Sequence, residues 1–257
     1  MTNIHKSAVI EEGAKLDEDV SVGPYTIVSS EAVIEAGTSI GSHVLIEGSV
    51  KIGRGNQIMN GAVIGSPPQD WSYSGAKTGV TIGDNNVLRE YITINRSTSE
   101  EADTSIGDDN MIMAYCHIAH DCKVGNGNAL ANGVTLAGHV EVKNKVMMGG
   151  LTPVHQFVTI GSYAMVGGLS RLNKDVPPFI RIAGNPARVF DLNIIGLRRN
   201  EFSADTRRQL KKAYKIVFRS KNNTSQALDK IREEMADSKE VMQLVDFIGN
   251  SERGIHK

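Results

Sequence analysis

An aliphatic residue recurs at every sixth position through most of the first 176 residues. Every sixth residue is Ile, Leu, Val or Met from Ile10 to Ile64, from Ile82 to Ile94 and from Ile106 to Leu172. A six-residue period matches neither the 3.6-residue turn of a helix nor the simple alternation of a strand. It matches a short strand followed by a tight turn, with the aliphatic side chain inward and Gly, Asp or Asn taking positive φ at the corner.

Three such repeats close a triangular coil of about 18 residues, and successive coils stack at the strand spacing of about 4.8 Å. Each coil buries its aliphatic side chains against the next, so the core is a column. Aromatic residues make up only 5% of the chain, as expected for a narrow interior. The sequence therefore predicts an all-β parallel β-helix over residues 1–176. The period does not give its hand.

Two segments interrupt the period without changing its phase, at residues 66–79 and 96–104. The first contains the only tryptophan, Trp71, and the second is polar and acidic. We expect both to be loops that leave an intact column, a common place for functional residues.

The repeat ends at residues 176–178, where two prolines follow a valine. Helical spacing beyond this point predicts an α-helical C-terminal domain at 177–257, with Ser203 and Thr224 as helix N-caps. The predicted helices lie near residues 189–199, 204–219, 225–235 and 239–248.

Composition limits the class of protein. The formal net charge is −1 at pH 7, which gives no case for nucleic-acid binding. The two cysteines do not make a disulfide framework. The first residues lack an apolar signal core, and no run of about eighteen apolar residues follows. We therefore expect a cytoplasmic protein without membrane insertion.

Four of the seven histidines, His117, His120, His139 and His155, form a cluster in the sequence. His120 and Gly138 are 18 residues apart, and so are Asp121 and His139, so the coil length places them on adjacent coils. Imidazoles beside an unobstructed glycine N–H suit general-base chemistry next to an oxyanion donor. A single surface histidine is usually structural, whereas four on one side favour a site.

A zinc site is the main alternative. Cys116 and Cys122 flank His117 and His120 in a spacing that superficially resembles a ligand cluster. Both cysteines, however, fall two residues before an inward aliphatic residue, a position that takes a small buried side chain. We interpret them as structural. A histidine-only zinc site, as in the carbonic anhydrases that share this fold, stays open.

Three stretches, residues 117–122, 136–140 and 154–157, resemble the UDP-N-acetylglucosamine O-acyltransferase family (LpxA) among the hexapeptide-repeat acyltransferases. Residues 68–70 and 175–178 support the resemblance, as do Gly184-Asn185 and 193–199, and it covers essentially the whole chain. It implies a left-handed β-helix and a homotrimer with sites between subunits. The chain departs from the family pattern at Asn95, Ile195 and Asn200.

The resemblance also implies the activity. A (3R)-hydroxyacyl chain passes from acyl carrier protein, where 4′-phosphopantetheine holds it, to the 3-position of the UDP-sugar, in the first step of lipid A synthesis. No metal or other cofactor is expected. His120 matches the general base, Asp121 its support, and Gly138 the oxyanion donor. The residues that match substrate-binding positions are Gln69, Asp70, His117, His139, His155, Gln156, Asn193 and Arg199.

Other acyl transfers remain as alternatives to this activity. Some relatives accept a 3-amino sugar and form an amide, and a related N-acyltransferase family carries an additional N-terminal domain. The basic side chains between Arg198 and Arg219 suit docking of an acidic acyl carrier protein, although a solvated helix face explains them equally well.

Overall fold

The structure is a computed structural model that describes residues 3–257. Short parallel strands form three sheets, which are the three sides of a triangular column. The first sheet contains β1 (Asn3–Ile4), β4 (Ser21–Val22), β7 (Ser39–Ile40), β10 (Gln57–Ile58), β13 (Val87–Leu88), β16 (Met111–Ile112), β19 (Ala129–Leu130), β22 (Met147–Met148) and β25 (Met165–Val166). The second contains β2 (Val9–Ile10), β5 (Ile27–Val28), β8 (Leu45–Ile46), β11 (Val63–Ser66), β14 (Thr93–Asn95), β17 (His117–Ile118), β20 (Thr135–Leu136) and β23 (Pro153–Val154). The third contains β3 (Lys15–Leu16), β6 (Val33–Ile34), β9 (Ser49–Ile52), β12 (Gly79–Ile82), β15 (Thr104–Ile106), β18 (Lys123–Val124), β21 (Glu141–Val142) and β24 (Thr159–Ile160).

Both loops add whole repeats to a coil. Where no loop intervenes, paired residues lie 18 positions apart, as His117 and Thr135 do. Across the loops, Ile64 pairs with Ile94, and Ile94 pairs with Ile118. These separations exceed one coil by twelve and by six residues. Because the additions are multiples of six, the inward phase survives and the coils on either side of each loop stay aligned.

The column is filled by the inward aliphatic side chains, nearly all of which are buried. Each such burial contributes about 1.5–3 kcal/mol relative to exposure. One corner adds a ladder of buried asparagines. Asn110 N–H donates to Asn86 Oδ1 at 2.9 Å, and Asn128 N–H donates to Asn110 Oδ1 at 2.8 Å. The ladder satisfies backbone donors that the short strands leave unpaired.

Many corners contain residues other than glycine at positive φ. Between the second and third sheets, Asp121, His139 and Phe157 follow one another with φ of 60°, 60° and 62°. The expectation of Gly, Asp or Asn at such corners is therefore too narrow. This conformation costs roughly 1–2 kcal/mol in a non-glycine residue. Hydrogen bonds between coils offset that cost, for example His139 N–H to His120 O at 3.1 Å.

Both loops leave the column at this same corner. We call it the insert edge, and it comprises residues 67–78, 96–103, 120–121, 138–139 and 155–157. The edge therefore carries the loops and several of the candidate histidines on one side of the molecule.

After the last coil the chain forms an antiparallel hairpin and then helices. Strand β26 (Ile180–Ala183) continues the first sheet and pairs with β27 (Arg188–Leu192). The helices are α1 (Ile194–Arg199), α2 (Ala204–Phe218), α3 (Thr224–Met235) and α4 (Lys239–Gly249). Across residues 3–257, no helix is long and apolar enough to cross a bilayer.

The helix predicted near residues 189–199 is wrong over its first four residues. They belong to β27, where Val189 and Leu192 are buried and Phe190 between them is exposed. Pairing with β26 decides the conformation, and only residues from Ile194 onward are helical.

One of the two predicted caps is also wrong. Asn223, and not Thr224, caps α3. Its side chain accepts from Gln226 N–H at 2.9 Å, while the Gln226 side chain accepts from Asn223 N–H at 3.1 Å. Asparagine is the stronger cap of the two. Ser203 is confirmed as the cap of α2.

Residues 251–256 form a C-terminal strap that is tied to the last coil at Asp175. Asp175 Oδ2 accepts from the Ser251 hydroxyl at 2.6 Å. Asp175 N–H donates to Gly254 O at 3.0 Å, and Asp175 O accepts from His256 N–H at 3.0 Å. The strap therefore brings the end of the chain beside the insert edge.

Candidate active site

His120 and Asp121 form a hydrogen-bonded pair on the insert edge. His120 Nδ1 lies 2.7 Å from Asp121 Oδ2, and the two side chains are only 13% and 12% exposed. Burial acts to raise the pKa of Asp121, but hydrogen bonds from His120 and Thr98 outweigh it, so this pKa lies below its usual value. An ionised Asp121 accepts the Nδ1–H of His120, which leaves Nε2 as a free acceptor.

The second loop completes the hydrogen bonding of Asp121. The Thr98 hydroxyl donates to Asp121 Oδ2 at 2.7 Å, and Thr98 N–H donates to Oδ1 at 3.1 Å. Thr98 was missed in the sequence. The sequence could have indicated it. Because the second loop interrupts the six-residue period in phase, it must leave the column one coil before His120 and on the same edge.

Gly138 lies against the His120 ring on the next coil. A Cβ at Gly138 would be 2.4 Å from Cε1 and 2.7 Å from Nε2 of His120, so a glycine is required for the ring to lie here. At several other corners, a side chain of the next coil caps the equivalent N–H, as Asn126 Oδ1 does for Asp108 at 2.7 Å. Among residues 3–257, Gly138 N–H has no such partner. It is a free donor beside Nε2.

The first loop brings Asp70 to the same ring. Asp70 Oδ2 lies 3.9 Å from His120 Nε2. Hydrogen bonds from the backbone and the hydroxyl of Ser72, both 2.7 Å, hold the pKa of Asp70 below its usual value. A substrate hydroxyl near Nε2 would therefore also face an ionised carboxylate.

His139 lies beside the pair on the following coil. Its ring stacks on Phe157, with centroids 4.6 Å apart, and meets His120 edge-on at 5.3 Å. Its Nε2 is 3.5 Å from Asp121 Oδ2. His139 thus closes one side of the site while keeping an exposed ring edge.

His117 is half-buried on β17. Its Nδ1 lies 2.7 Å from Thr93 Oγ1. Burial lowers the pKa of His117, and the neighbouring His120 lowers it further. At neutral pH this imidazole is therefore uncharged, and it can serve as a hydrogen-bond partner for a substrate.

Gln69, His155 and Gln156 are exposed on the same edge. Neither glutamine amide has a hydrogen-bond partner within the described residues, so both are available to a ligand. Gln69 borders an open cavity of about 350 Å³. His155 Nδ1 lies 3.3 Å from Nη2 of Arg253, a contact that the sequence did not suggest.

Asn193 and Arg199 lie on a different face of the same chain. They line a cavity of about 200 Å³ over the first sheet, together with Tyr163. The Asn193 side chain accepts from Gly196 N–H at 3.1 Å and donates to Tyr163 O at 2.9 Å. A single chain does not bring these two residues to His120.

Within residues 3–257, neither cysteine belongs to a group of three possible metal ligands, and both are buried. Burial raises the pKa of Cys116 to about 11 and that of Cys122 to about 12. Both thiols therefore stay protonated at neutral pH, whereas a zinc ligand is a thiolate.

His120, Asp121 and His139 place three possible ligand atoms within 4.8 Å of one another. Two ligands of one tetrahedral zinc ion, each about 2.0–2.2 Å from it, lie roughly 3.3 Å apart. The 2.7 Å between His120 Nδ1 and Asp121 Oδ2 is a hydrogen-bond distance instead. The Thr98 hydroxyl also donates a hydrogen bond to Asp121 Oδ2. The observed geometry thus suits proton transfer rather than metal binding.

Comparison with known proteins gives full-length matches. The model of UDP-N-acetylglucosamine O-acyltransferase, domain 2, matches residues 175–256, and the bacterial transferase hexapeptide model matches residues 103–138. An acyl-[acyl-carrier-protein]–UDP-N-acetylglucosamine O-acyltransferase from Thermodesulfovibrio yellowstonii is 48% identical over 256 residues, 99% of each chain. One from Halorhodospira halophila is 43% identical with the same coverage.

The solved structure of LpxA from Acinetobacter baumannii matches with a TM-score of 0.96 at 42% identity, covering 99% of both chains. With these matches, the column is a left-handed β-helix followed by a helical region, and the zinc hydratase alternative finds no support among the relatives. The chain belongs to the acyl-[acyl-carrier-protein]–UDP-N-acetylglucosamine O-acyltransferase family.

Proposed function

We propose that this chain transfers a (3R)-hydroxyacyl group from acyl carrier protein to the 3-hydroxyl of UDP-N-acetylglucosamine, the first step of lipid A synthesis. The observation that carries the proposal is the His120–Asp121 pair beside the free N–H of Gly138. The names of the full-length relatives support the choice of substrates.

His120 acts as the general base. With Nδ1–H donated to Asp121, Nε2 takes the proton of the sugar hydroxyl while the oxygen attacks the thioester carbonyl. Asp121 stabilises the imidazolium that forms. The same proton then passes to the departing thiolate as the carbon–sulfur bond breaks. General-base catalysis of this kind contributes roughly 10²–10⁴-fold to the rate.

Gly138 N–H acts as the oxyanion donor. The tetrahedral intermediate carries its negative charge on the former carbonyl oxygen, close to the attacking hydroxyl. A fixed N–H at the position of Gly138 meets this charge without reorganisation. A thioester already has a good leaving group, so the mechanism uses no metal and no cofactor beyond the carrier's 4′-phosphopantetheine.

The complete site lies between subunits of a homotrimer in the cytoplasm. Support comes from the positions of Asn193 and Arg199, which match nucleotide-binding residues yet face away from the insert edge of their own chain. A neighbouring subunit that presents this face to the insert edge would complete the site.

The acyl carrier protein docks on the basic C-terminal region. Lys211 and Lys212 pair with Asp191 and Glu234 within the chain. Arg198, in the last turn of α1 beside Arg199, has no ion pair among the described residues. It is the more available cation for an acidic partner.

The test is a reaction of purified protein with UDP-N-acetylglucosamine and a panel of (3R)-hydroxyacyl carrier proteins, followed by mass spectrometry. We expect a monoacylated UDP-sugar, and a loss of at least about 10²-fold in rate for His120→Ala. His43→Ala is the matched control, because His43 is exposed and, among residues 3–257, its ring stacks on Tyr25 alone.

Product formed by wild type and by His43→Ala, but not by His120→Ala, would establish the reaction. Acylation of a UDP-3-amino sugar alone would replace the ester with an amide. No product with either acceptor would refute the proposal.

A further inference from the structure

Arg253, in the C-terminal strap, reaches the insert edge from 98 residues away in sequence. Its Nη2 lies 3.3 Å from His155 Nδ1 and 3.4 Å from Asn173 O. Three hydrogen bonds between the strap and Asp175 fix the backbone on either side of it. Arg253 is therefore held over His155 by a built structure and is not a free surface side chain.

The contact determines which ring nitrogen of His155 carries the proton. A guanidinium only donates hydrogen bonds, so Nδ1 must accept and the proton must be on Nε2. The alternative is donation from Nδ1–H to Gln156 O, 3.2 Å away. The two cannot form together, and a charged donor gives the stronger hydrogen bond.

We propose that Arg253 is a positioning residue of the acyltransferase site, which holds His155 as an Nε2–H donor toward the diphosphate of the nucleotide sugar. The inference rests on the proposed function, since it assigns His155 to the binding of this substrate. Without Arg253, the ring is free to donate through Nδ1 to Gln156 O. Nε2 then has a lone pair toward the phosphate oxygens, which repel it.

The kinetic test compares Arg253→Met, Arg253→Lys, His155→Ala and the double variant Arg253→Met/His155→Ala. For Arg253→Met we expect KM for UDP-N-acetylglucosamine to rise about tenfold while kcat changes less than about twofold. Arg253→Lys, which keeps a charged donor, should recover part of this loss. The double variant should be no weaker than His155→Ala alone, because Arg253 acts through His155.

The spectroscopic test uses nitrogen-15 NMR of the histidine rings in the free protein. Wild type should show His155 with the proton on Nε2, and Arg253→Met should show a substantial Nδ1–H fraction. Arg232→Met is the matched control, since Arg232 lies on α3 and pairs with Asp229 at 3.1 Å. It should leave the kinetics and the His155 signal unchanged.

Two results would overturn the proposal: additive losses in the double variant, or an Nδ1–H ring at His155 in wild type. Melting temperatures identify a variant that fails to fold, and in that case Arg253→Lys decides. Wild type without acyltransferase activity would refute the proposed function, while the NMR experiment on the free protein would still decide the role of Arg253.

Discussion

At the scale of single residues, the site depends on a side chain that is absent. The His120 ring occupies the space where a Cβ of Gly138 would be, 2.4 Å from Cε1. Backbone strain is not the reason, since Gly138 is not among the residues with positive φ. The position of the His120 ring, and not the backbone conformation, therefore requires the glycine.

We expect Gly138→Ala to lower kcat/KM by roughly 10²–10³-fold, because it displaces the base from the oxyanion donor. Its melting temperature should change little, because the ring can move outward. Gly249→Ala is the control, since a Cβ there meets nothing closer than 3.6 Å. Steady-state kinetics and thermal melts of the three proteins check this. Activity of Gly138→Ala within tenfold of wild type would contradict it.

The period placed the residues of the repeat, whereas residues outside it were placed by the resemblance, as Asp70 was, or were missed. The 18-residue coil predicted the neighbours of His120 and Asp121, because each position in the column has a fixed partner. The period gives the edge at which the loop with Thr98 leaves the column, but not the contact of Thr98 with Asp121. No period applies to the strap that carries Arg253. Their contacts depend on tertiary structure that one sequence does not reveal.

At the scale of elements, the C-terminal strap couples folding to pH through His256. This side chain is 5% exposed. Burial, assisted by Lys174, lowers the pKa of His256, although a hydrogen bond with Ala187 and the charge of Asp175 oppose the shift. His256 therefore stays neutral in the folded state at a pH where the unfolded chain is already protonated.

The direction of the pH effect on stability follows from the number of protons that the folded and unfolded states bind. Below about pH 6.5 the unfolded state binds more protons than the folded state, so stability is full above this pH and falls below it. His117, also of lowered pKa, acts in the same direction. Each histidine contributes a slope of at most about 1.4 kcal/mol per pH unit.

We expect His256→Gln to flatten the loss of stability between pH 6.5 and 5, with part of the slope left because His117 remains. Urea unfolding at a series of pH values, fitted for the free energy of unfolding, measures the slope. The buried position tolerates glutamine because its amide can accept from Lys174 N–H, as His256 Nε2 does at 3.3 Å. Equal slopes for the two proteins would show that His256 is not responsible.

Strands within the six-residue repeat were predicted well. A segment whose conformation depends on pairing with another strand was not. The loops could be placed because they interrupt the six-residue period in phase. Residues 189–192 read as helix in isolation but form β27, because the edge strand β26 offers them hydrogen bonds. Such a competition between local spacing and an available partner is not visible in local sequence.

At the scale of the whole molecule, the column separates residues that the proposed reaction needs together. His120 lies at the corner of the second and third sheets, whereas Arg199 borders a cavity over the first sheet. A rigid triangular column cannot bend to join them. The separation therefore favours an assembly in which each subunit supplies a different part of every site.

This separation gives a complementation experiment. His120→Ala and Arg199→Ala should each form inactive homotrimers, and co-expression should restore activity. With random mixing, about a quarter of the interfaces join an intact insert edge to an intact Arg199 face, so about a quarter of wild-type activity should return. Co-expression of His120→Ala with Asp121→Ala is the control and should restore nothing, because both changes damage the same edge. If sites were formed within one chain, neither pair would recover, since every chain would carry one defect in its own site.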